Sequence, residues 1–156
     1  MSWKPRTKFA RTLVASFLAE VGSDPATEAF ITQAAQDAAP DELPELSPEA
    51  LAGLMAGFWA SAAQRKGKGP VIRRIPVEGS DLDRLEILQD DAPFLVDSVM
   101  GEIAEHGLSV RAMFHPVVAV QRDRKGARGD SGPERRESMI QVILEGVGQD
   151  REAGLI

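Results

Sequence analysis

Apolar residues recur every three or four positions in three stretches of the first 66 residues. Phe9, Leu13, Phe17 and Val21, with Val14 and Leu18 beside them, form one stripe, so the spacing predicts a helix over residues 6–20 that Gly22 stops. Asp24-Pro25 restarts a helix, with Asp24 as N-cap and Pro25 in the first turn, where its missing N–H costs nothing. Its apolar face is modest: Phe30, Ile31, Ala34, Ala35 and Ala38. Ser47-Pro48-Glu49 opens a third helix, with Leu51, Leu54, Met55, Phe58, Trp59 and Ala62 on one stripe, Arg65 and Lys66 in the last turn and Gly67 as its stop. The first and third helices are expected to pack together, and Trp3, Met55 and Trp59 read as packing residues.

After the short basic linker 66–70 the period changes from about 3.6 to 2. Residues 71–77 have strand composition, with Pro76 marking an edge or an end. Lys66, Lys68, Arg73 and Arg74 read as a solvated patch. In residues 84–89, Leu85 and Ile87 take one face and Arg84 and Glu86 the other. The most organised stretch runs over residues 90–122. It reads as a turn, a helix over 92–106 and a long strand over 109–122. The helix stripe is Leu95, Val96, Val99, Met100 and Ile103, with Asp91 as candidate cap and Gly107 as left-handed stop. Pro116 cannot donate to a ladder, so the strand is at an edge or bulged there. Residues 123–136 are charged and glycine-rich, a mobile hairpin tip, and its Arg128-Gly129-Asp130 reads as a chance tripeptide. The strand over 137–145 alternates Ser138, Ile140, Val142 and Leu144 against Met139, Gln141 and Ile143.

This order describes an α+β chain: a helical N-terminal segment (1–66), then an incomplete ferredoxin-like antiparallel sheet with one helix packed on it (70–146), and the start of a further element (147–156). The unit lacks its fourth strand. Residues 71–77 are expected to pair antiparallel with 84–89 in its place.

Composition narrows the function classes. A net charge of −6 argues against nucleic-acid and anionic-membrane partners. There is no cysteine, which excludes disulfides and thiol catalysis and suits a cytoplasmic location. No apolar run reaches the about 20 residues needed to cross a bilayer. His106 and His115 lie in different elements without metal-ligand spacing, and there is no P-loop, G-x-G-x-x-G or nucleophile motif. Asp90, Asp91 and Asp97 cluster at one helix start, where capping and dipole complementation explain them more simply than acid–base work.

The motifs D-D-A-P-F-L-V-D-S-V, E-H-G-L-S-V, F-H-P-V-V-A-V-Q-R-D and E-S-M-I-Q-V, spread over about residues 70–145, resemble the N-terminal ACT-like region of the large bacterial NAD-specific glutamate dehydrogenases. The resemblance implies a non-catalytic regulatory or assembly fragment of an enzyme that deaminates L-glutamate to 2-oxoglutarate. NAD would then be bound elsewhere in the parent polypeptide, with no cofactor in this fragment. It implies as partners the rest of that polypeptide, further copies through self-association, and an amino-acid effector. Such domains often bind the effector at a D-x-P-G turn after the first strand, so the candidate effector residues are Asp90, Asp91, Ala92, Pro93 and Phe94. Phe94 stands where glycine would be and is expected to fill the space.

Overall fold

A computed structural model describes residues 7–37 and 46–145. Three helices precede the sheet: α1 (Lys8–Val21), α2 (Pro25–Asp37) and α3 (Pro48–Ser61). Their starts follow local chemistry. Thr7 Oγ1 accepts from the Ala10 N–H at 3.0 Å, Asp24 Oδ1 from the Thr27 N–H at 3.0 Å and Ser47 Oγ from the Ala50 N–H at 3.1 Å. Gly22, at φ 82°, ends α1 as expected. The end of α3 differs: Ala62 is its C-cap, and Arg65 turns into the interior instead of closing a last turn.

The strands are β1 (Val71–Pro76), β2 (Leu82–Asp90), β3 (Val110–Phe114), β4 (Val117–Arg122), β5 (Arg128–Gly129) and β6 (Glu134–Glu145), with α4 (Leu95–Glu105) between β2 and β3. β1 pairs antiparallel with β2 from Val71↔Leu88 to Pro76↔Asp83, so the substitute for the fourth ferredoxin strand is where the sequence puts it. β6 is central, with β2 on one side and β3 and β4 on the other. The expected single strand over 109–122 is two strands broken at His115-Pro116, with a further register shift between Val110 and Ala112. The Pro116 carbonyl still accepts from the Met139 N–H at 2.9 Å, and His115 Nε2 lies 2.6 Å from Ser138 Oγ. β4 is not bare at its outer side, because β5 pairs with its end. The Gln33 side chain covers its start, accepting from the Val117 N–H at 2.9 Å and donating to the Val117 carbonyl at 2.7 Å.

Both faces of the sheet are covered. Leu85, Ile87, Ile140, Val142 and Leu144 pack under α4 around Ile103. Leu82, Leu88, Val118, Val120, Met139 and Ile143 join one apolar cluster with Leu13, Phe17, Phe30, Phe58 and Trp59 of the helices. Polar strand residues on this second face are therefore buried. Glu86 is 1% exposed and faces Gln141, whose Nε2 donates to Glu86 Oε2 at 2.9 Å and to the Leu54 carbonyl at 3.2 Å. Burial pushes the Glu86 carboxyl up, against the opposing pull of Gln141, Arg84 and Arg73. Arg74 is not solvated either: its side chain lies 3.5 Å from the Asp83 carboxylate.

Candidate functional site

The turn from β2 into α4 holds the five sequence-selected residues and divides them. Asp90, the last residue of β2, points to the face that α1–α3 cover. Its Oδ1 accepts from Arg65 Nη1 at 2.7 Å. Asp91 does not cap α4. Its N–H donates to the Arg136 carbonyl at 3.0 Å, and its carboxylate lies 4.0 Å from Arg136 Nε at the surface. The helix begins three residues later than the pattern suggests, at Leu95, because Ala92 and Pro93 continue the turn. Phe94 is the N-cap, in the left-handed region at φ 66° and ψ 14°, and offers no side-chain cap. It is 76% exposed, so its ring leaves the turn rather than filling it.

Asp90 opens onto a buried ion cluster that sequence reasoning missed. Glu137 Oε2 accepts from Arg65 Nη1 at 2.7 Å and from Arg122 Nε at 2.9 Å, and its Oε1 accepts from Arg122 Nη2 at 2.8 Å. The arginines also donate to carbonyls: Arg65 to Lys68 at 2.7 Å, and Arg122 to Ala62 and Gly126, each at 2.8 Å. The cluster ties the end of α3, the linker, the 123–127 loop and β6 to one point. Burial alone would raise the Glu137 carboxyl; hydrogen bonds and charge from Arg122 and Arg65 outweigh it and hold the group below its ordinary range. Strand parity carried a signal for this. Val118, Val120 and Arg122 alternate inward, as do Glu137, Met139, Gln141 and Ile143, so both charges fall at core-facing positions. The loop over 123–136 is likewise docked rather than a free tip. Its Ala127 bridges Gln64, the Arg128 N–H donates to the Ala63 carbonyl at 2.8 Å, and the Arg128 guanidinium lies 3.5 Å over the Trp59 ring.

A family model described as "Glutamate dehydrogenase, ACT1 domain" matches residues 30–154. The chain belongs to this family. The match begins inside α2, so the family's sequence signal takes in helical residues that pack on the sheet as well as the sheet itself. An NAD-specific glutamate dehydrogenase of Halomonas elongata is 37% identical over 68 residues, covering 39% of this chain and 4% of that protein. The chain therefore spans a small part of the length of the curated relative it matches. No solved structure matches it.

Within this ACT1 domain, Phe94 holds the backbone conformation that glycine takes freely and other residues adopt at a cost of about 1–2 kcal/mol. Its side chain gives little burial in return. Phe94→Gly is expected to stabilise the domain by about 1 kcal/mol, read as a higher urea midpoint with unchanged slope. A lower midpoint would show that the ring contributes packing that its exposure does not reveal.

Proposed function

We propose that the chain is a non-catalytic regulatory and assembly segment of a large NAD-dependent glutamate dehydrogenase, which converts L-glutamate and NAD to 2-oxoglutarate, ammonium and NADH in the cytoplasm. The family match and the relative's name support the parentage. The observation that carries the assembly role is the placement of the exposed apolar side chains. Phe94 (76%), Ile72 (45%) and Val71 (37%) are the large apolar residues left exposed among those described. Two of them lie on β1, whose outer edge no described strand covers. An open edge with exposed apolar residues favours association with another chain segment.

The strand-to-helix turn does not fit the cofactor of the parent enzyme. A pyrophosphate there needs backbone N–H groups at close approach, whereas this turn carries Pro93, a bulky Phe94 and the carboxylates of Asp90 and Asp91. We propose that NAD binds in another part of the parent. No helix among the described residues is long and apolar enough to cross a membrane.

In the full-length enzyme, the double substitution Ile72→Lys and Phe94→Ser is expected to lower the subunit number measured by light scattering or to change the glutamate saturation curve. Unchanged mass together with an unchanged curve would sink the assembly reading. A second reading, an amino-acid effector at residues 90–94, is favoured by the outward Phe94 ring, which leaves the turn unblocked. Calorimetry with a panel of amino acids tests it: saturable binding abolished by Asp91→Ala supports an effector site, and a flat response rejects it.

A further inference from the structure

On the side of the sheet away from β1, a groove of about 620 Å³ lies between the start of α2 and the outer edge of β4. Its wall includes Asp24, Pro25, Ala119, Arg128, Asp130 and Glu134. Strand alternation explains why backbone is open there. Val117 turns its N–H and carbonyl outward to Gln33, and Asp123 turns its N–H outward to the Ala127 carbonyl at 3.1 Å. Gln121, between them in the same phase, faces Gly129 of β5. Ala119 shares that phase and lies between the Gln33 cover and the short β5. Its N–H and carbonyl therefore face the groove, a gap one residue wide.

Arg128 stands at the same groove. It donates Nη1 to the Trp59 carbonyl at 3.0 Å and stacks on the Trp59 ring, but makes no ion pair with a described carboxylate. Burial, and then the nearby Arg122 charge, pushes its pKa down to about 10. The Asp24 and Glu137 charges offset part of that fall without touching Arg128, and the Asp24 oxygens accept instead from the Thr27 N–H at 3.0 Å and the Thr27 hydroxyl at 2.9 Å. A part-buried guanidinium that no described carboxylate contacts directly, beside an outward backbone N–H, is a carboxylate-accepting arrangement.

We propose that this groove binds a small monocarboxylate, held by the remaining Arg128 N–H groups and the Ala119 N–H. Asp130 and Glu134 at the rim accept an ammonium group when the ligand carries one. A multiply charged anion such as phosphate is repelled by Asp24, Asp130 and Glu134 more strongly than a monocarboxylate is, and is expected to bind more weakly. A peptide strand is excluded by the width of the gap, since each further outward pair needs about 6.6 Å of open edge. The site is separate from the residue 90–94 turn and does not depend on that turn binding anything.

NMR titration of the 156-residue chain with propionate tests the assignment. Saturable shifts are expected at the Ala119 amide, the Arg128 Nε–H and the Trp59 indole N–H. Arg128→Gln, which keeps a planar donor for the Trp59 carbonyl, is expected to weaken propionate at least tenfold. β-Alanine is expected to bind at least as tightly as propionate. No saturable shift in the parent chain, equal affinity in Arg128→Gln, or tighter binding of inorganic phosphate at the same groups would overturn the proposal.

Discussion

Glu137→Gln is expected to destabilise the chain by about 3–5 kcal/mol, because it leaves two buried arginines without their shared counter-charge. Arg65 and Arg122 have side chains 0% and 2% exposed and both converge on this carboxylate. Asp90 alone remains, and it reaches only Arg65. Urea unfolding at neutral pH should show the loss as a lower midpoint. The simultaneous replacement Arg65→Met, Arg122→Met and Glu137→Leu should recover much of it, since removing all members leaves no orphaned charge. A Glu137→Gln midpoint equal to the parent's would show that the cluster contributes nothing net. The pH dependence has a definite sign. The folded Glu137 carboxyl titrates below its ordinary value of 4.5, so the stabilisation is complete above that value and is lost as pH falls through the lower folded value. The gap between parent and Glu137→Gln should therefore close only in acid.

Gly126→Ala should be nearly as damaging, by on the order of 3 kcal/mol. Gly126 has φ 86°, and a Cβ there would land on the Arg65 carbonyl. The same residue accepts the Arg65 N–H at 3.0 Å and the Arg122 Nη1 at 2.8 Å through its own carbonyl. The loop would have to lift off α3, taking Arg128 from the Trp59 ring, so near-UV circular dichroism should change along with the melting temperature. Gly129→Ala is the control: nothing lies within 4 Å of its added Cβ, and the change should stay within about 0.5 kcal/mol. Equal melting of the two variants would disprove the steric account.

The legible parts of the fold were those fixed by neighbours in sequence. Asp24-Pro25 and Ser47-Pro48 start helices through contacts three residues away, and the β1–β2 ladder follows from two short apolar strands and one turn. The misread parts depend on distant partners. Arg65-Lys66-Gly67 has the composition of a helix end, yet α3 stops at Ser61 because Arg65 is drawn to Asp90 and Glu137, 25 and 72 positions away. Asp91 has the composition of a cap, but its carboxylate turns to Arg136. Glu86 and Gln141 made one sheet face look polar. Opposite one another and covered by α3, they satisfy part of each other's hydrogen bonding, so the face is buried. In the candidate site, the presence of a turn and helix start at residues 90–94 was readable. The inward path of Asp90 and the outward path of Phe94 were not, because strand parity and a left-handed backbone residue decide them.

The central position of β6 delays assembly of the sheet during synthesis. β2, β3 and β4 all need it as a neighbour, and it is the last of the described strands to leave the ribosome. At translation rates of about 5–20 residues per second, the apolar faces of α1–α3 and of the earlier strands wait several seconds for the strand that joins them. During that interval the nascent chain presents helices without a sheet and hairpins without a centre, the form most open to chaperone capture or to pairing with another unfinished copy.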